Sequence, residues 1–172
     1  LTHIGPGTAM GNLMRQYWMP IYLSSDVGQN DGKPHRIKLL GEQLIIFRDT
    51  SGRVGLLTEV CAHRGASLYW SRNEHDGLRC VYHGWKFDIN GDCVDMPSEP
   101  AESNFKDKVK ITAYPTHEAG DCIFVYMGPR EVQPPFPELE WTRVPSANRL
   151  VMRWIQDSNY MQTIEGDLDT SH

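Results

Sequence analysis

The chain lacks any apolar run approaching the roughly 18 to 20 residues of a membrane span, and no charged-then-apolar signal pattern opens it. It lacks a Lys/Arg cluster as well. Seventeen basic residues stand against 22 acidic ones, a net charge of −5, which argues against a nucleic-acid or anionic-membrane surface. There is no internal repeat and no low-complexity tract, so solenoids and disordered linkers are excluded. The first residue is Leu1 rather than methionine, which leads us to expect further residues before it. The reading is of a cytoplasmic protein. Cysteine is scarce: four in 172 residues. In a cytoplasmic chain of this size, metal binding or plain burial is the expected use of them, ahead of two disulfides.

What remains is ordinary globular material, 40% hydrophobic and 23% charged, enough for one domain or one domain and part of a second. Residues 8–19, TAMGNLMRQYWM, carry apolar Met10, Leu13, Met14 and Tyr17 at helical spacing, with Pro20 expected to end the helix. From about residue 36 the pattern turns to short strands. RIKLLG and QLIIFRD flank Gly41-Glu42 as a hairpin, and RVGLLTEV follows the turn TSG. LRCVYH, WKFDINGDCV around Asn90-Gly91, VKITAY and DCIFVYM complete seven or so strands, which predicts an antiparallel β domain.

Residues 97–108 read as a polar loop. Residues 128–145 contain five prolines and predict an extended connector. Beyond it, RLVMRWIQD reads as a strand and SNYMQTIEGDLDTSH as a helix with Ser158 as N-cap. The expected organisation is a helical lead-in over 1–35, a β domain over 36–128, a connector over 129–145 and a second domain beginning at 146. The fold class is mainly β.

Chemistry begins at CAHRGASL, Cys61 to Leu68, and CVYHGW, Cys80 to Trp85. Each box carries one cysteine and one histidine. Thiolate and imidazole together suit zinc or iron–sulfur chemistry. A zinc finger usually puts both cysteines in one knuckle and both histidines in another. Two alike boxes instead suit a two-metal object, with both sulfurs on one iron and both nitrogens on the other, the ligand set of a Rieske [2Fe–2S] centre. Replacing two thiolates of a dianionic ferric cluster by neutral imidazoles leaves it uncharged. Adding an electron then costs less, and potentials rise to about −150 to +300 mV from about −400 mV. The imidazole N–H not bound to iron should point outward, and Gly65 and Gly84 allow tight loops behind the histidines. A structural zinc site is the alternative.

Other residues have plainer readings. Cys93 and Cys122 sit in strand patterns and should be buried. His3, His35, His75 and His117 lie in polar or turn contexts and should be solvated. Trp85 and Phe87 read as core, with Trp85 also able to shield a cluster. Arg64 steadies its loop or meets an acidic partner. In the last helix, Gln162, Glu165, Asp169 and His172 fall on one stripe, with Met161, Ile164 and Leu168 on the adjoining one. On spacing alone, an Asp-x-x-His pair is no more than a solvated helical turn.

The two boxes resemble the cluster-binding motifs of Rieske non-haem iron aromatic-ring-hydroxylating oxygenases, α subunit. Respiratory Rieske proteins carry an extra cysteine in each box, where this chain has Ala66 and Tyr82. GPGTAMGNLMRQYWMP and NYMQTIEGDLDTSH are similar to the phthalate-dioxygenase-like branch, so the resemblance covers essentially the whole chain. It implies that Cys61, His63, Cys80 and His83 bind the [2Fe–2S] cluster and that residues 146–172 open an α+β catalytic domain. It further implies that His172 is one ligand of a mononuclear Fe(II). Asp169 would then be a catalytic bridge, accepting hydrogen bonds from His172 and from a neighbouring subunit's cluster histidine, most simply its counterpart of His83. The implied enzyme is a dioxygenase or O-demethylating monooxygenase acting with O2 on an aromatic substrate, by analogy a carboxylated one. Its electrons would come from NADH through a flavin/iron–sulfur reductase, and the subunits would form a homotrimer or a multiple of one. The alternatives are a Rieske-type ferredoxin without catalysis and a zinc-binding module.

Overall fold

The computed structural model describes residues 2–100 and 102–171. A short helix, α1 (Ala9–Met14), precedes strands β1 (Met19–Leu23), β2 (His35–Leu39), β3 (Glu42–Arg48) and β4 (Val54–Thr58). Four very short strands follow: β5 (Arg72–Asn73), β6 (Leu78–Arg79), β7 (Lys86–Phe87) and β8 (Cys93–Asp95). The chain then returns through β9 (Ala113–Tyr114), β10 (Thr116–Ala119) and β11 (Cys122–Val125), and ends in helix α2 (Tyr160–Leu168). Three antiparallel sheets result, in the orders β1-β11-β10, β2-β3-β4-β9 and β5-β6-β7-β8. The mainly β, antiparallel expectation holds.

Strand β3 explains how the sheets share a middle. Leu44, Ile45, Ile46 and Phe47 are all essentially inaccessible. Alternate side chains leave opposite faces of a strand, so this run feeds two cores. Leu44 and Ile46 join Leu56, Ile123 and Val125 on one side, while Ile45 and Phe47 join Leu57, Leu68, Leu78 and Phe87 on the other. A strand covered on both faces reads as a continuous apolar run, which is why QLIIFRD lacks a polar alternation. The second core underlies the third sheet; one cysteine–histidine box lies between β4 and β5 and the other between β6 and β7.

Several elements depart from expectation. The first helix stops at Met14, with Thr8 Oγ accepting from Gly11 N–H, and Pro20 lies inside β1 rather than ending a helix. Pairing with β11 outweighs helical spacing there. The β2–β3 turn is Leu40-Gly41, not Gly41-Glu42; both residues have positive φ, 45° and 82°, as a two-residue hairpin turn demands. Leu40 tolerates that conformation because its side chain is buried in the first core. The Asn90-Gly91 turn is wider than a two-residue hairpin. Phe87 pairs with Cys93, and Asp88 Oδ1 accepts from the N–H groups of Asn90 and Asp92. Strands β1, β5 and β10 were not legible. LRCVYH forms a strand only over Leu78–Arg79, and VKITAY only over Ala113–Tyr114.

The proline-rich segment is anchored rather than free. Phe136 stacks on His117 with ring centroids 4.0 Å apart and meets Trp18 and Phe124 edge-on, while Trp18 Nε1–H donates to the Pro134 carbonyl at 3.0 Å. His117 is therefore exposed but partnered, not simply solvated. Residues 149–157 form no strand; they run extended, held by Arg149 to Asp121 and by Arg153 to Asp26 and the Tyr22 ring. Helix α2 is capped by Asn159, not Ser158, and carries no buried residue.

Candidate metal centre

The two boxes fold into the same object. In each, the cysteine carbonyl accepts from an N–H four residues on, Gly65 to Cys61 and Gly84 to Cys80, both at 3.0 Å. In each, the cysteine N–H donates to the carbonyl five residues on, Ala66 and Trp85, both at 2.9 Å. The fifth residue is glycine at φ 72° in one loop and 78° in the other. That left-handed turn is costly for any residue with a Cβ. A Cβ on Gly84 would also stand 3.0 Å from Pro97 Cγ, whereas one on Gly65 would meet nothing closer than 4.0 Å.

The loops face one another and pair by chemical type. Cys61 and Cys80 are both buried and hydrogen-bonded together, and the His63 and His83 rings lie with centroids 4.5 Å apart. Cys61, His63, Ala66, Cys80, His83 and Trp85 line the small hollow between them. Among the described residues no three His, Cys, Asp or Glu side chains are grouped to hold a single metal ion. The four ligand-type residues instead divide into a sulfur pair and a nitrogen pair.

The donor set fits a two-iron cluster. His63 Nδ1 is buried and has no hydrogen-bond partner, an orphan that a ligated metal would satisfy. Desolvation, with His83 and Arg64 nearby, holds His63 below its ordinary pKa, so the ring is neutral and able to ligate. Burial pushes the Cys61 thiol up to about 11, with Cys80 adding to the rise and the His63 and Arg64 N–H groups opposing it. Those two N–H groups point at sulfur, the arrangement that tunes iron–sulfur potentials. His83 is exposed, His63 half-buried.

Each loop is clamped at its base. Ser67 Oγ donates to Glu59 Oε1 at 2.5 Å, and Arg36 Nε reaches the same oxygen at 2.7 Å. At the other loop, the Arg79 guanidinium donates to the Gly84 carbonyl at 2.7 Å and pairs with Glu74 and Asp95. Neither clamp was legible in the sequence, since Arg36 and Arg79 sit far from the residues they hold or in unremarkable strands. Trp85 is buried and lies flat on His63, centroids 4.5 Å apart and planes 11° apart, so the shielding expectation has a geometric basis. Cys93 and Cys122 are buried, and Phe87 is core, as read. Arg64 is exposed.

Of the second set of expected site residues, Gln162, Glu165 and Asp169 are described. Helix α2 ends at Leu168 and Asp169 is its C-cap with extended backbone, so the stripe through Gln162 and Glu165 does not continue to it. Asp169 Oδ1 accepts from Ser171 N–H at 2.8 Å. His172 lies outside the described residues.

Comparison with known proteins bears on the same boxes. The Rieske [2Fe-2S] domain family matches residues 17–115. The chain is 47% identical over 172 residues to the 3-chlorobenzoate-3,4-dioxygenase oxygenase subunit of Comamonas testosteroni, covering 100% of this chain and 40% of that protein. It is 46% identical over 163 residues to the phthalate 4,5-dioxygenase oxygenase subunit of Pseudomonas putida, covering 95% and 37%. The crystal structure of dicamba monooxygenase with non-heme iron and dicamba superposes with a TM-score of 0.67 at 26% identity, over 78% of this chain and 40% of that one. The chain thus spans about two-fifths of the length of these relatives. Matched across both boxes, this chain belongs to the Rieske [2Fe–2S] domain family.

Proposed function

We propose that the chain is part of the oxygenase component of a multi-component aromatic-ring oxygenase, with Cys61 and Cys80 holding one iron of the cluster and His63 and His83 the other. The observation that carries this is the pair of loops with the same backbone hydrogen-bond pattern, presenting sulfur to sulfur and imidazole to imidazole, with His63 Nδ1 buried and unpartnered. The cluster supplies one-electron transfer, and a mononuclear Fe(II), with His172 among its ligands, supplies dioxygen activation toward an aromatic substrate. Within the chain, Trp85 excludes water from one face of His63, the Glu59 and Arg79 clamps hold the loops, and exposed His83 offers its outer ring N–H to an acceptor. Dihydroxylation and O-demethylation both fit. The electron source is NADH through a reductase, the assembly a homotrimer or multiple of one, the compartment the cytoplasm.

Two irons and two acid-labile sulfides from the cluster, with one further iron from the mononuclear site in the intact protein, and a red-brown colour bleached on reduction are the expected result for the purified protein. Zinc in place of iron would refute the cluster. Alanine at position 172 of the intact protein is expected to keep that colour and lose the mononuclear iron; retention of the mononuclear iron would remove His172 from the site.

A further inference from the structure

Resting on the cluster assignment above, we infer that the segment Phe105–Lys108 is the electron-entry surface, and that it docks an acidic one-electron-donor protein. Three observations converge there. Phe105 is 45% exposed, yet its ring meets Trp85 edge-on at 6.2 Å, and Trp85 in turn lies flat on His63 at 4.5 Å. An unbroken aromatic path therefore runs from the surface to a cluster-ligand residue. Next to Phe105, the stretch Lys106-Asp107-Lys108-Val109-Lys110 carries three lysines against one aspartate, on a chain whose net charge is −5. Lys110 is paired with Asp92 at 2.6 Å, but among the described residues neither Lys106 nor Lys108 has an ion-pair partner. A hollow of ≈ 540 Å³ opens between these lysines and β8, with Asp92, Cys93, Val94 and Asp107 also in its wall.

The charge selects the partner. With Lys110 paired to Asp92, Lys106 and Lys108 outnumber Asp107, and a basic excess of this kind accelerates encounter with an acidic protein and disfavours basic ones, which sets on-rate and specificity more than bulk affinity. The step is a single electron transfer: the donor's reduced centre loses one electron, the cluster gains it, and no bond forms or breaks. Entry at Phe105 leaves exposed His83, on the other loop, free to face the acceptor.

A reduced plant-type [2Fe–2S] ferredoxin, an acidic one-electron donor, is the probe, used with the intact cluster-loaded protein under anaerobic conditions. Calorimetry with the oxidised ferredoxin reads docking, and stopped-flow reads cluster reduction. Lys106→Glu with Lys108→Glu is expected to weaken docking about tenfold or more and to flatten its dependence on salt, with an unchanged midpoint potential. Phe105→Leu is expected to keep docking within about threefold while slowing reduction at saturating ferredoxin. Unchanged docking in the double variant overturns the assignment, as does failure of the parent protein to bind at low ionic strength. So does loss of docking in Arg64→Glu with the lysine variants unaffected, which moves entry to the cluster tip. Calorimetry needs no cluster. Intact docking without a visible cluster spectrum therefore counts against the cluster assignment rather than against this surface.

Discussion

His63 and His83 differ from cysteine in charge as much as in shape. Either histidine replaced by cysteine adds one negative charge to the cluster and is expected to lower its midpoint potential toward the all-cysteine range near about −400 mV. A redox titration of each variant checks this, and an intact cluster at the parent potential in both would contradict the assignment. The two loop glycines make a sharper comparison. Gly65 and Gly84 share the left-handed conformation, so alanine at either is expected to cost about 1–2 kcal/mol. Only Gly84 also has Pro97 against it, so Gly84→Ala should unfold at lower denaturant than Gly65→Ala. Equal midpoints would mean that Pro97 simply moves aside.

Between residue and molecule, the elements that matter are the clamped loops. Glu59 is held below the ordinary carboxylate range: burial opposes ionisation, but the Ser67 hydroxyl and the Arg36 guanidinium more than offset it. A carboxylate with a depressed folded-state pKa stabilises the fold above its unfolded value near 4.5 and loses that contribution as pH falls through the folded value. Stability of the parent should therefore decline below about pH 4.5, and Glu59→Gln should decline less steeply across the same window. Denaturant midpoints measured from pH 3 to pH 7 or so test it; parallel curves would show that Glu59 is uncoupled from folding. This clamp could not be read from the sequence, because Arg36 is 23 residues from Glu59 and joins it only once β2, β3 and β4 align. The boxes could be read, because their chemistry is local: cysteine, histidine and glycine within six residues fix both ligand type and turn. The short strands β5 and β10 were hidden by their length, since two to four residues give no periodicity. The over-long first helix had the opposite cause. Helical spacing continued through Tyr17, but the edge of β11 recruited the chain from Met19 onward.

At the scale of the whole molecule, the β domain has its own two cores, while the chain beyond residue 148 has almost none. Leu150, Trp154, Ile155 and Leu168 are each at least three-quarters exposed. Apolar patterning in that region was legible, but the strand and long helix inferred from it need burial that these residues lack here. The same region contains Asp169, whose proposed role is to link one subunit's cluster to its neighbour's iron. A carboxylate has lone pairs enough to accept from two imidazoles, and its amide counterpart does not keep the charge. Asp169→Asn in the intact protein is expected to retain both metals and a reducible cluster, yet to slow cluster reoxidation by dioxygen and substrate by orders of magnitude. Reoxidation as fast as the parent in rapid mixing would leave Asp169 as a surface charge.

The claim on which all of this depends is that two nitrogens and two sulfurs from the paired loops hold one cluster. Pulsed electron paramagnetic resonance on the reduced protein reads it directly. The account predicts a [2Fe–2S] signal with strong couplings to two distinct imidazole nitrogens, one lost in His63→Cys and the other in His83→Cys. A reduced cluster with no strongly coupled nitrogen, or nitrogen couplings untouched by both substitutions, would contradict it.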